Sequence, residues 1–229
     1  MKTKQLIIAG TFLAVAFTYA IPFTAGAQTG DDLIAAVTYQ DLDKVKELVK
    51  AGVDVNFREP SRYGNTPLVM ACQYNLVEIA KYLMENGADI HLKTGTGHTP
   101  LMAAASGSED LFNLLISKGA DPLAKLENGT SAFTMLITGI LMDRIPMTVA
   151  DKLIELGADV DESSTTGDTK GYTGLMMAAR NQRPDLVKYL VENGANVNAR
   201  AGDGNTPLSL AQKEEDTEMV SLLKKLGAE

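Results

Sequence analysis

Few side chains in this sequence are of types that do chemistry. The nucleophile candidates are the one cysteine, Cys72, and the close pair Ser106 and Ser108. A hydrolytic serine usually rides on a G-x-S-x-G turn, and neither serine sits in one. His91 and His98 are the only two histidines, so a multi-histidine metal centre is disfavoured. A single cysteine excludes both an internal disulfide framework and a cysteine-based zinc site. Gly95-Thr96-Gly97 lacks the later glycine and the lysine of a phosphate loop and reads as a turn. Cys72 follows Ala71 and reads as a small buried hydrophobe, not as an activated thiol. No catalytic residue, cofactor site or metal site is assigned. The ten methionines read as packing, with an oxidant sink as the alternative.

Composition narrows the classes. Hydrophobic residues make up 45% and charged residues 22%, which suits a globular chain. There are 21 basic against 29 acidic residues, a net charge of -8. Residues 1–27 hold two lysines and no acid, so the remainder carries 19 against 29, or -10. A protein built to hold nucleic acid needs a basic surface, and that partner is excluded.

The first 27 residues read as an address. Lys2 and Lys4 precede an uncharged, mostly apolar run from Leu6 to Ile21, which ends at Pro22. Ala25-Gly26-Ala27 then offers small residues before Gln28, the pattern of a cleaved secretory signal. The run falls short of the roughly 20 residues of a spanning helix. The expectation is a signal peptide over 1–27, cleavage after Ala27, and a mature chain with no membrane span, placed in a periplasm or secreted.

The rest of the chain repeats itself. A glycine-led triplet recurs as Gly52-Val53-Asp54, Gly87-Ala88-Asp89, Gly119-Ala120-Asp121, Gly157-Ala158-Asp159, Gly194-Ala195-Asn196 and Gly227-Ala228-Glu229. A second marker runs in phase with it: Thr66-Pro67-Leu68, Thr99-Pro100-Leu101, Ser131-Ala132-Phe133, Thr173-Gly174-Leu175 and Thr206-Pro207-Leu208. These markers resemble the ankyrin repeat, whose period is 33 and whose signature is T-P-L-H-x-A. The resemblance covers about residues 31–229. It implies an all-α repeat solenoid of about six repeats, each a helix-turn-helix with a hairpin or loop tip, capped at both ends. The repeats fall at about 31–62, 63–95, 96–127, 128–169, 170–202 and 203–229, within one domain over 28–229.

Local chemistry agrees with that reading. Thr before Pro caps and opens a helix. Met70-Ala71-Cys72 and Met102 to Ala105 keep the first helix of a repeat slim. Val77, Ile79, Ala80, Tyr82, Leu83 and Met84 form an apolar stripe, with Glu78, Lys81 and Glu85 turned outward. Asn86-Gly87 ends that helix, with glycine free to turn left-handed. The fourth repeat departs from the pattern. It lacks the proline, carries extra residues around Ile140 to Ile145 between its helices, and is followed by a Ser-, Thr- and Gly-rich tip at Asp161 to Tyr172 that reads as mobile. The acidic run Lys213 to Glu218 reads as the solvated face of a terminal cap.

The resemblance implies a non-catalytic module that binds a protein partner, because ankyrin arrays generally do so with their hairpin tips and a concave groove along the first helices. Mapped onto this chain, the candidate contact residues are Arg62, Tyr63, His98 and Tyr172 at tips, and Gln73, Tyr74, Arg180 and Asn181 along the groove. Tyr and Arg are favoured interface anchors. The expected state is a monomer. Within this class, the sharper alternatives are an inhibitor or immunity-type partner of an exported enzyme, and a factor protecting the envelope against oxidation.

Overall fold

The structure is a computed structural model, which describes residues 28–163 and 171–229. The expected signal peptide and most of the tip read as mobile, residues 164–170, lie outside the described residues. Twelve helices are present among those described: α1 Gly30–Thr38, α2 Leu42–Lys50, α3 Pro67–Gln73, α4 Val77–Glu85, α5 Pro100–Ala105, α6 Glu109–Ser117, α7 Ala132–Leu141, α8 Thr148–Glu155, α9 Gly174–Arg180, α10 Pro184–Glu192, α11 Pro207–Lys213 and α12 Thr217–Lys225. They pair as successive helix-turn-helix units, and the first helices stack in one row, α1 on α3 on α5 on α7 on α9 on α11. The second helices form an outer row, in which α2 meets α4 and α4 meets α6. No described residue belongs to an extended strand; two isolated bridges, Lys125 with Ser131 and Ser163 with Thr173, pin the bases of two hairpins. The chain is an all-α repeat solenoid.

The threonine of each marker starts an inner helix. Thr66 Oγ1 accepts the Val69 N–H at 3.3 Å, and Thr99 Oγ1 accepts that of Met102 at 3.1 Å. Thr173 and Thr206 do the same for Met176 and Ser209. Proline at the first helical position gives up a donor that would have no partner there anyway. The slim residues are then buried on nearly every side: Pro100 to Ala105 are all covered, as are Pro67 to Cys72. Outer helices bury only one stripe, as Ile79, Ala80 and Leu83 do in α4. Together the stripes and the inner row make one continuous core, with Phe112 and Phe133 fully buried in it.

Gly87 closes its repeat with φ +92°, and the space around it is open, so the left-handed backbone alone asks for glycine there. Gly139 is the opposite case. It lies inside α7, and a Cβ on it would stand 2.9 Å from the Ser106 carbonyl oxygen of the neighbouring inner helix and 3.0 Å from Ile145 Cγ2.

The fourth repeat differs from its sequence expectation in detail. The extra residues do not all lie between its helices, because Ile140 and Leu141 extend α7 to ten residues. The turn that follows runs over 142–147, longer than the three-residue turns of the other repeats, and it tucks Ile145 into the core. The missing Thr-Pro is replaced by Ser131, which accepts the N–H groups of Phe133 and Thr134 while its own N–H donates to Thr134 Oγ1 at 2.9 Å. At the first end, Thr29 and Asp32 form the same reciprocal cap on α1. At the last, Asp216 caps α12, and Lys224 and Lys225 meet the negative end of its dipole.

Candidate protein-binding surface

The scaffold presents two edges: the hairpin tips that precede each inner helix, and the turns that follow it. The sequence-predicted residues divide between them.

At the tips, Tyr63 closes a turn in which the Gly64 N–H donates to Ser61 O at 3.1 Å. The Tyr63 carbonyl accepts the Gly95 N–H of the next tip at 2.7 Å, so consecutive tips are in backbone contact. Side-chain atoms would block this approach: a Cβ on Gly64 would lie 2.6 Å from Gly95 N. Tyr63 itself is 49% exposed, and the Arg62 guanidinium lies 4.6 Å from its ring centroid with Nη2 donating to its hydroxyl. The stack fixes a planar cation at the tip. The same contact places the Thr94–His98 turn beside Tyr63. His98 is half-buried there, its Nδ1 2.9 Å from Thr96 Oγ1, and burial pushes its imidazole below the ordinary range.

Tyr172 is a correction. The sequence placed it among exposed tip residues, yet it is only 5% exposed. Its hydroxyl donates to Asp203 Oδ2 at 3.1 Å and accepts from Asn205 Nδ2 at 2.8 Å. It joins two tips and has no surface left for a partner. Burial, then the Asp203 carboxylate, raises its pKa above the ordinary phenol value.

At the opposite edge, Gln73 ends α3 and Tyr74 caps it, 47% exposed. Arg180 ends α9 and is half-buried, and Asn181 donates its amide to Met177 O at 2.8 Å, capping its own helix. Two inner helices, α5 and α7, lie between α3, which Tyr74 caps, and α9, which ends at Arg180, so the structure does not bring Tyr74 and Arg180 together.

One residue escaped the sequence mapping. Tyr39 caps α1 as Tyr74 caps α3, and it is 70% exposed. The first repeat has no Thr-Pro-Leu marker from which to count, yet the glycine marker carried the signal: Tyr39 precedes Gly52 by thirteen residues, as Tyr74 precedes Gly87. Farther along, an open cavity of about 690 Å³ lies between the starts of α10 and α12, lined by Lys188 and by Glu214, Glu215, Asp216 and Glu218 from the terminal cap.

The residues with chemical potential are used structurally. Cys72 is 1% exposed, and desolvation pushes its thiol up to about 12. Ser106 donates to Ala103 O at 2.8 Å, and Ser108 caps α6 while donating to Asn75 Oδ1. His91 is an exposed loop residue whose N–H donates to Asp89 Oδ1. Among the described residues no group of three or more His, Cys, Asp or Glu could hold a metal ion, and no helix is long and apolar enough to cross a membrane.

Comparison with known proteins gives one consistent answer. The family model described as ankyrin repeats (3 copies) matches residues 33–125 and 145–229. A putative palmitoyltransferase of Danio rerio is 33% identical over 201 residues, covering 86% of this chain and 30% of its own. The nuclear factor NF-kappa-B p105 subunit of Gallus gallus is 28% identical over 210 residues, covering 87% of this chain and 20% of its own. The chain thus spans about a third or less of the length of these two relatives. Among solved structures, the ankyrin repeat domain of human ASB11 matches with a TM-score of 0.69 and 30% identity, over 86% of this chain and 84% of that one. A chain from the complex of a predatory endopeptidase of Bdellovibrio bacteriovorus with an immunity protein matches with a TM-score of 0.71 at 24% identity, over 86% of this chain and 98% of that one; this likeness is one of fold. With the repeat markers, the stacked helix pairs and the family match in agreement, the chain belongs to the ankyrin-repeat family.

Proposed function

We propose that this chain is a non-catalytic binding module that works outside the cytosol and holds a protein partner on its tips and inner-helix ends. The observation that carries the reading is the placement of its exposed aromatics. Tyr39 and Tyr74 occupy one repeat-equivalent position in adjacent repeats at the inner-helix ends, and Tyr63 stands on the tip edge of the same repeats with Arg62 stacked on it. Exposed tyrosines in register supply large rigid contact area on a scaffold that needs none of them for its core. Tagged chain recovered from its native cells, after crosslinking, tests the reading. A stoichiometric protein partner is the expected result; recovery of the chain alone would contradict it.

Export rests on the residues before Gln28. Mass analysis of the chain from native cells is expected to show a protein beginning at Gln28, and a chain retaining Met1 to Ala27 would contradict it.

A second, sharper reading is that the partner is an exported enzyme and the chain its inhibitor or immunity-type guard. It draws support from the endopeptidase–immunity protein complex among the structural neighbours, whose matching chain is covered almost from end to end. Purified partner losing activity when this chain is added is the expected outcome. The oxidation-protection reading draws less support, because Met70, Met102, Met176, Met177 and Met219 are buried and Met84, Met135, Met142 and Met147 are half-buried.

A further inference from the structure

The hairpin tips carry a charge pattern that the repeat markers did not announce. The sixth residue after the marker glycine is Arg58, Lys93, Lys125 and Arg200 in four of the five hairpins, and all four are exposed. A basic row thus runs along one edge of a chain whose net charge is -8.

The partners of these charges differ along the row. Lys125 is taken by Glu162, at 2.8 Å, and Arg200 donates to Gly204 O at 3.0 Å. Arg58 and Lys93 have no hydrogen-bond or ion-pair partner among the described residues. Arg62, between them, is held over Tyr63 and keeps most of its donors free. The carboxylates of the same hairpins are already engaged. Asp54, Asp89 and Asp121 accept the backbone N–H groups of Asn56, His91 and Leu123 at 2.8, 2.8 and 2.9 Å. Glu59 accepts from Asn65 Nδ2 at 3.1 Å. On the first two tips, then, the carboxylates have donors, whereas Arg58 and Lys93 have no acceptor among the described residues.

We propose that the tip edge formed by Arg58, Arg62 and Lys93 docks a carboxylate-bearing segment of the protein partner. The proposal rests on the reading of the chain as a protein-binding module and names the chemistry of what it binds. The guanidinium groups match a carboxylate through paired N–H donors, and Tyr63 offers a ring beside them. Glu162 marks the limit of the surface: where the fourth repeat begins, the protein supplies its own carboxylate to Lys125 and needs none from outside. The rest of the acidic chain repels such a segment, so attraction is confined to this edge and weakens as salt screens it.

Fluorescence anisotropy with a short labelled peptide alternating Glu and Ser tests this on the full chain. Its counterparts, with Gln or Lys for every Glu, and an oligothymidylate of equal length serve as comparisons. The Glu peptide is expected to bind, the Gln and Lys peptides not, and Arg58→Gln with Lys93→Gln to weaken binding about tenfold. Lys50→Gln with Lys118→Gln, which alters the net charge equally on the outer helices, is expected to leave it unchanged. Equal loss from both pairs, binding of the Gln peptide, or equal binding of the oligothymidylate would overturn the assignment. The same variants in the crosslinking experiment separate the two claims. A partner still recovered by the Arg58, Lys93 variant overturns the tip assignment and leaves the binding module intact, whereas no partner for any chain overturns the module itself.

Discussion

Asn56 and Asp89 are 33 residues apart in sequence, and the Asp89 N–H donates to Asn56 Oδ1 at 2.7 Å while Asn56 Nδ2 donates to Gly87 O at 3.0 Å. One side chain thereby ties the end of one repeat to the end of the next. Asn198 repeats the arrangement with Gly227 O and Glu229 N, and Asp161 accepts the Asn196 N–H from the same position. Asn56→Ala is predicted to lower stability by about 1–2 kcal/mol, from two inter-repeat hydrogen bonds. Asn56→Asp, which keeps the acceptor, is predicted to lose less than half of that. Urea unfolding of the three proteins checks the order, and an Asp variant as weak as the Ala variant would show that the acceptor is not the main contribution.

Gly139→Ala is predicted to destabilise, although alanine is the better helix former by about 1 kcal/mol. The new Cβ meets backbone at Ser106 and has nowhere to move. Overpacking of this kind costs about 1–3 kcal/mol, enough to outweigh the propensity gain. A lower thermal midpoint is the expected reading, and a raised one would mean that α5 and α7 stand farther apart than described.

Arg183 holds the lengthened α7 in place. Its Nη1 donates to Ile140 O at 3.0 Å and lies 3.0 Å from Asp143 Oδ1, while Nη2 lies 2.9 Å from Asp185 Oδ2. The Arg183 hydrogen bond holds the Asp185 carboxyl below its ordinary pKa. A depressed folded pKa stabilises above the unfolded value, about 3.9, and that contribution is lost as pH falls through the folded one. Arg183→Met is therefore predicted to lower stability near neutral pH, by about 1 kcal/mol given how exposed both aspartates are. The gap between the two proteins is predicted to shrink as pH falls below about 4. Urea midpoints across that range check the slope; a gap that widened with acid would contradict the pairing.

Cys72 is predicted to resist thiol reagents in the folded protein at neutral pH, because a buried thiol pushed up to about 12 supplies almost no thiolate. Labelling with a disulfide reagent is expected only once denaturant opens the inner row, and rapid labelling of the native chain would contradict the packing of α3.

The architecture was legible in the sequence because each repeat needs the same local chemistry. A threonine must cap, small residues must let inner helices meet, and a glycine must turn left-handed, so Thr66, Ala71 and Gly87 announce themselves. The binding edges were legible only where a marker lay close. Tyr74 was found by counting from Thr66, while Tyr39 was missed for want of such a threonine. Tyr172 was misplaced because counting gives a position and not a burial. Its hydroxyl partners, Asp203 and Asn205, belong to the next repeat. The inter-repeat role of Asn56 was hidden for the same reason: a side chain that bonds 33 residues away leaves no local pattern. His91, which takes the same position with no such bond among those described, shows that the pattern is not carried in every repeat.

The central claim is that a protein partner sits on the tyrosine-bearing side of the first two repeats. Its most direct measurement is recovery of that partner by the tagged chain from native cells, beside a chain carrying Tyr39→Ala and Tyr74→Ala. Both residues are exposed helix caps, so each substitution is expected to leave the unfolding midpoint within about 0.5 kcal/mol of the original. The account predicts a single partner with the unaltered chain and at least about tenfold less with the variant, in line with the loss of two aromatic anchors. Equal recovery by two equally stable chains would contradict it.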